Sequence, residues 1–419
     1  MALLFAGSMW FYVQRVLVPY QKADAATHGR PRGNLSDLYP RWLGTRELLL
    51  HHRNPYSAEV TREIQIGYYG RPLDPKRVGD PRFDEPRDQQ GFAYPLPVVF
   101  LLAPTIGLPF PVVQTGFRWL LVILTVASVF LWLRALRWRP PMAITLIVIV
   151  LTLGSYAVVQ GIKLQQLTLL VSALLAGCAA ALVAGNLSLA GVLLALATIK
   201  PQLALPLAGW LLLWAASDWR QRQVFIWSFA FTTAIFLAAS EYILPGWIDQ
   251  FRDAVTAYRQ YTGGAGSLLD VLATPMVGRV LAALTVIVVV VIGWRVRHAS
   301  HGSAAFSAMM ALILAVTLVI APTFAPYNQV LLLPAVFLIV ISWKDLWRRN
   351  LLTRSACGVG LLVVCWPWLA SCGLMVASPF LPADLVQRAW ASPLYTSLGI
   401  PLMVLGLFSV CARDRLKAW

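Results

Sequence analysis

Residues 36–56 read SDLYPRWLGTRELLLHHRNPY, a charged stretch set between an apolar segment ending near Pro19 and a long series of apolar segments beginning near Phe92. It is therefore expected in a polar loop just outside a membrane. Trp42, Leu43, Leu48, Leu49 and Leu50, flanked by Arg41, Arg46 and Glu47, predict an amphipathic helix over Trp42–His51 lying in the interface. Asp37 comes immediately before it. A carboxylate at the water–lipid boundary is where a lipid-linked molecule meets a hydroxyl-bearing one. The same Ser36-Asp37 pair also suits a helix N-cap, so both readings stand at this point.

Composition sets the class. Hydrophobic residues make up 58% of the 419 positions and charged residues 12%, with a mean hydropathy of +0.68. An all-α polytopic membrane protein follows. Charge is concentrated: 20–92 holds 22 of the 52 charged residues and 10 of the 18 acids. The net charge of +16 does not point to nucleic acid, because most remaining basic residues fall in short connections between apolar segments and read as topology signals. The five cysteines show no CxxC pair, so neither a disulfide framework nor a zinc site is indicated. His51 and His52 are adjacent in the loop, and His298 and His301 lie in another connection, so no metal site is expected.

The first apolar stretch, broken by Gln14 and Arg15, lacks a basic leader and a small-residue cleavage site and reads as a retained anchor. Further segments fall near 93–111, 115–135, 141–160, 163–184, 187–200, 201–216, 222–244, 277–295, 303–322, 326–343, 354–377 and 391–412. Most approach the ~20 residues a helical span requires, for a total of about 11–13. Basic clusters at Arg134/Arg137/Arg139, Arg220/Arg222, Arg295/Arg297, Lys344/Arg348/Arg349/Arg354 and Arg413/Arg415/Lys417 recur on every second connection. These connections and the C-terminus are expected to be cytoplasmic. With the Asp37 loop outside, that parity leaves 93–111 unable to cross fully, and its prolines, Pro95, Pro97, Pro104, Pro109 and Pro111, predict a broken or re-entrant helix; the alternative is that the two short segments meeting at Lys200-Pro201 are wrongly split. The stretch 62–90, rich in Gly, Pro and charge, reads as irregular surface loop.

Beyond Asp37, Lys200 closes an apolar run and precedes Pro201; a membrane lysine is a functional candidate, with snorkelling to headgroups the plainer alternative. Lys163, between Gln160-Gly161 and Gln165-Gln166, falls on the same side. Pro322 to Gln329 is a polar, proline-bracketed break, equally readable as a capping loop, and Glu241 is a lone membrane acid. Trp42, Trp247 and Tyr258 read as an interfacial aromatic belt or as sugar-stacking rings.

The order of these features resembles glycosyltransferase family 87, membrane enzymes of the GT-C architecture that include mycobacterial mannosyltransferases using polyprenyl-phosphate-mannose. The features are Asp37-Leu38-Tyr39, Arg46-Glu47-Leu48-Leu49 with Asn54-Pro55-Tyr56, Tyr94-Pro95, Ala103-Pro104, a polar turn at Gln160-Gly161 or Leu164-Gln165, Ala190-Gly191 to Lys200-Pro201, and Ala321-Pro322. The resemblance implies a GT-C-like bundle in three parts: a first transmembrane helix (1–19), an extracytoplasmic catalytic loop with short interfacial helices (20–92) and a multi-helix bundle (93–419). It implies Asp37 as general base and Lys200, with Lys163, at the donor phosphate. Tyr39, Arg46, Tyr56, Tyr94, Gln160, Tyr327 and Asn328 become substrate-binding candidates. The implied partners are a polyprenyl-phosphate-sugar donor, a lipid or glycan acceptor and membrane lipids, with no cofactor, no metal and no nucleic acid. A bacterial plasma membrane, with the site facing the exterior, is the implied location. The family pattern carries a histidine in the late proline break, where this chain has Tyr327 and Asn328. A transporter or flippase is the competing class, against which stand the absence of an internal repeat and the large charged loop directly after the first span.

Overall fold

The structure, a computed structural model, describes residues 1–27, 36–70, 90–261, 266–322 and 325–417, and is helical throughout with no strand among them. Helix α1 (Ala2–Thr27) runs without interruption through a π-helical turn at Tyr12–Leu17, so it continues eight residues past the expected boundary at Pro19. Two short helices follow, α2 (Tyr39–His51) and α3 (Ala58–Tyr69). Helix α2 starts three residues earlier than the apolar pattern indicates, because Pro40 is tolerated in its first turn.

Helix α3 corrects the reading of 62–69 as irregular. Ser57 accepts the Val60 N–H as N-cap, Val60 and Ile64 bury one turn apart, and Gly70 ends the helix at φ 77°. The remainder of that stretch, 71–89, lies outside the described residues.

The proline-rich segment does not span. It forms a five-residue helix, Val98–Leu102, and a 3₁₀ turn, Ala103–Thr105, before α4 (Phe110–Ala135) begins. Then come α5 (Met142–Leu153) and α6 (Tyr156–Leu164), bent by 55° at their junction, α7 (Leu167–Val183), α8 (Leu187–Ala197), α9 (Pro201–Ala216) and α10 (Trp219–Ile243). The connection after α10, expected as loop, carries α11 (Trp247–Tyr261). The chain finishes with α12 (Pro275–Arg295), α13 (Ala304–Ile320), a 3₁₀ helix at Pro326–Leu332 running into α14 (Leu333–Ile341), α15 (Leu351–Ala377) and α16 (Ile400–Lys417). Six stretches are long and apolar enough to cross a membrane, the bent pair is a seventh, and five shorter apolar helices accompany them. This is a polytopic integral membrane protein.

Its layering follows from which helices are buried all round. In α7 and α13, 15 of 17 residues are buried, the signature of helices at the centre of a bundle. The windows that cross in α10 and α12 are only 11% buried, with Trp227, Phe231, Ile287 and Val290 left for lipid. Helix α1 is held between α15 and the α5–α6 bend, where a Cβ on Gly154 would strike the backbone of Ala6. Trp368 Nε1 donates to the Gly154 carbonyl at 2.7 Å, and Tyr12 donates its hydroxyl to Trp390 O at 2.5 Å.

The two short helices pack onto the bundle. Trp42 is buried against Phe110 at 5.2 Å between ring centroids and donates to Thr105 O at 3.3 Å, and Gly44 leaves room for the Phe92 ring. The face expected to lie in the lipid interface is thus largely covered by protein, with Leu50 still exposed.

Candidate active site

The α6–α7 connection is two residues long, and it organises the site. Gln165 adopts the left-handed conformation (φ 50°, ψ 50°) that closes α6 and turns its amide back onto Ile162 O (2.8 Å) and Lys163 O (2.7 Å). Gln114 of α4 donates to its side-chain oxygen at 3.0 Å. Gln166, the N-cap of α7, makes no cap hydrogen bond with its side chain. Both ends of that amide go elsewhere: Nε2 donates to Asp37 Oδ2, and Oε1 accepts from Lys200 Nζ at 3.2 Å.

Asp37 is therefore not a helix cap. The N-cap of α2 is Leu38, without a side-chain cap bond, and the Asp37 N–H is tied to Leu164 O at 2.9 Å. Chain 36–38 is pinned to the α6–α7 turn while the carboxylate meets Gln166.

Lys200 lies at the break between α8 and α9, outside both helices, and only 5% exposed. Besides Gln166 it donates to Thr168 Oγ1 at 2.5 Å, and Thr168 in turn donates to Asn328 Oδ1 at 2.9 Å. The ammonium sits 5.1 Å from the centroid of the Tyr327 ring, within cation–π range. Burial pushes it below the ordinary lysine value of 10.5, Arg41 adds to this, and Tyr94 and Asp37 oppose it.

Arg41 completes the group: its guanidinium covers the Tyr94 ring at 4.1 Å, and Nε is buried with no acceptor among the described residues. Burial works against that charge, but Tyr94, Asp37, Tyr327 and Tyr258 together outweigh it and hold the guanidinium above its ordinary value. Tyr258 of α11 belongs to the same electrostatic neighbourhood, acting on Arg41 and Tyr327. Its helix is moored to the first loop by Asn54 Nδ2 donating to Gln250 Oε1 at 2.6 Å.

Of the residues singled out in the sequence, Asp37, Lys200, Tyr94, Tyr327 and Asn328 come together. Others take supporting places. Tyr39 packs edge-on against Phe110 at 4.9 Å, with its hydroxyl filling the space beside Gly67. Tyr56 donates to Tyr94 O at 2.6 Å, fixing the backbone beneath the Arg41 stack. Arg46 lies 5.5 Å from the Trp42 ring. Gln160, on α6, has its Oε1 buried without a partner among the described residues, and Lys163 opens into a separate cavity. Glu241 accepts the Gly246 N–H at 2.8 Å and closes a turn. Thr323 and Phe324 of the late proline break lie outside the described residues. Arg41, Gln166 and Thr168 were not singled out; the Gln165-Gln166 pair, beginning two residues after Lys163, was the available signal for Gln166. No grouping of His, Cys, Asp and Glu able to hold a metal occurs among the described residues.

The profile of glycosyltransferase family 87 matches residues 92–322, more than half of the chain. The chain belongs to glycosyltransferase family 87. No curated protein and no solved structure matches it. Membership makes this family 87 protein a membrane glycosyltransferase and favours that class over the transporter alternative. The matched stretch takes in Tyr94, Gln160, Gln166, Thr168 and Lys200; Asp37 and Arg41 precede it, and Tyr327 and Asn328 follow it.

Proposed function

We propose that this enzyme moves a sugar from a polyprenyl-phosphate-linked donor to a hydroxyl of a lipid or glycan acceptor at the extracytoplasmic face, with inversion. The observation that carries the reading is the Gln166 amide, which connects an acid and a cation at opposite ends of one side chain. In the reaction the acceptor oxygen attacks the anomeric carbon and gives its proton to the Asp37 carboxylate. The bond from that carbon to the phosphate oxygen breaks, and its electron pair leaves with the lipid phosphate. Fixed cations stabilise the departing charge. Lys200 is held for that task by Gln166, Thr168 and Tyr327, and the Nε–H of Arg41, without an acceptor among the described residues, offers a second donor. One base suffices when a hydroxyl displaces phosphate in a single step, so a second carboxylate, as glycosidases use, has no task here. Mannose is one candidate sugar.

The test is transfer of labelled sugar from synthetic polyprenyl-phosphate-sugars to membrane extracts by wild type and Asp37→Asn. General-base loss lowers turnover by ~10²–10⁴-fold, with the variant still folded in the membrane. Undiminished turnover by folded Asp37→Asn would remove the assignment.

A further inference from the structure

A cavity of about 450 Å³ lies between α1, α4 and α6, lined by Trp10, Gln14, Thr115, Arg118, Trp119 and Lys163 together with aliphatic side chains. Among the described residues no carboxylate lines it. Arg118 stands eight residues inside α4, roughly 12 Å along the helix, and its Nε is buried without an acceptor among the described residues. Arg118 and Lys22 both act on the Lys163 ammonium as like charges. Cations gathered in apolar walls at this depth destabilise one another unless an anion lies between them. The wall is open to the bilayer, since Trp119 is 65% exposed on the outer surface of α4. Gln14 reaches the cavity from the π-helical turn of α1, a local departure from α-geometry of the kind that recurs where helices serve ligands.

We propose that this cavity binds the phosphate of a membrane lipid, at a site separate from the Asp37–Lys200 cluster. Two cations bracket the phosphate, Gln14 supplies a neutral polar contact, and the aliphatic wall takes the first part of the chain. The chemistry is shared by a prenyl monophosphate and an anionic phospholipid, and needs no transfer reaction, so it stands or falls apart from the catalytic assignment.

The full chain in detergent micelles is titrated with a prenyl monophosphate, with phosphatidylglycerol and with sodium phosphate, and bound copies are counted by native mass spectrometry. In the Arg118→Gln/Lys163→Gln double variant one lipid copy weakens by about tenfold or more, the effect of losing a charge-assisted contact. Lys200→Gln retains that copy. Arg118→Lys/Lys163→Arg restores it, which separates lost charge from lost fold. Preference for the prenyl phosphate assigns the site to the carrier lipid, and equal binding of both lipids assigns it to the surrounding leaflet; either supports the proposal. Lipid binding indifferent to the double variant, or sodium phosphate binding as tightly as the lipids, overturns it.

Discussion

Lys163 and Lys200 have the same look in the sequence, each a lone lysine at the edge of an apolar segment, and the fold gives them opposite surroundings. Lys200 is enclosed by Gln166 and Thr168 at the start of α7 and by the Tyr327 ring, contacts distant from it in sequence. Lys163 shares a cavity with Arg118 and two tryptophans. The separation is made by one residue. Gln165, in its left-handed conformation, reverses the backbone so that Lys163 and Gln166, three positions apart, serve different sites. A lysine at a helix end thus says that a cation is present. The polarity of what packs on it decides whether it is buried with partners or left for a ligand.

The comparison breaks most readily at Lys200. Lys200→Met is expected to lower turnover by ~10²–10³-fold, the usual result of removing one preorganised donor to a developing negative charge. Lys163→Met should change turnover far less and act instead on lipid-phosphate binding at the Arg118 cavity. Steady-state kinetics and lipid binding measured on both variants decide it, and a reversed pattern would exchange the roles of the two sites. Gln166→Leu sharpens the same contrast: it takes a hydrogen bond from each of two charged groups, worth about 1.5–3 kcal/mol apiece. A fall in turnover of ~10-fold or more is expected, with lipid-phosphate binding at the Arg118 cavity unaltered.

Much of this architecture is legible in the chain because lipid as solvent leaves few options. Apolar runs gave α4, α7, α9, α10, α12 and α13 within a few residues, and prolines barred 93–111 from crossing. Helices held by partners distant in sequence were harder to see. Helix α3 reads as loop until Val60 and Ile64 find a surface to bury against, and α11 depends on the Asn54–Gln250 contact 196 residues away. Charged residues were the least legible. Arg222, read as a topology signal, is 9% exposed and donates to Trp214 O at 2.7 Å and Arg297 O at 3.3 Å, tying two helical connections together. At the candidate site Asp37 and Lys200 stand out by position alone. Gln166 and Thr168 do not, since a neutral amide and a hydroxyl in an apolar run acquire meaning only when the charges arrive beside them.

The smallest expected effect concerns pH. With its ammonium held below 10.5 by burial, Lys200 loses its proton as pH rises before an exposed lysine does, so transfer should decline on the alkaline side earlier than an ordinary lysine dictates. The sign of the accompanying stability change separates this from unfolding. Between the lowered folded value and the unfolded one, the folded chain binds fewer protons than the unfolded chain, and this group's contribution to stability rises with pH. Activity falls while that contribution grows, so loss of fold is not the cause. Lys200→Arg keeps a charge that does not titrate in this range and is expected to flatten the alkaline limb at reduced turnover, whereas Lys163→Met should leave the limb in place. A limb that persists in Lys200→Arg would assign the titration to another group and leave Lys200 as a structural cation between Gln166 and Thr168.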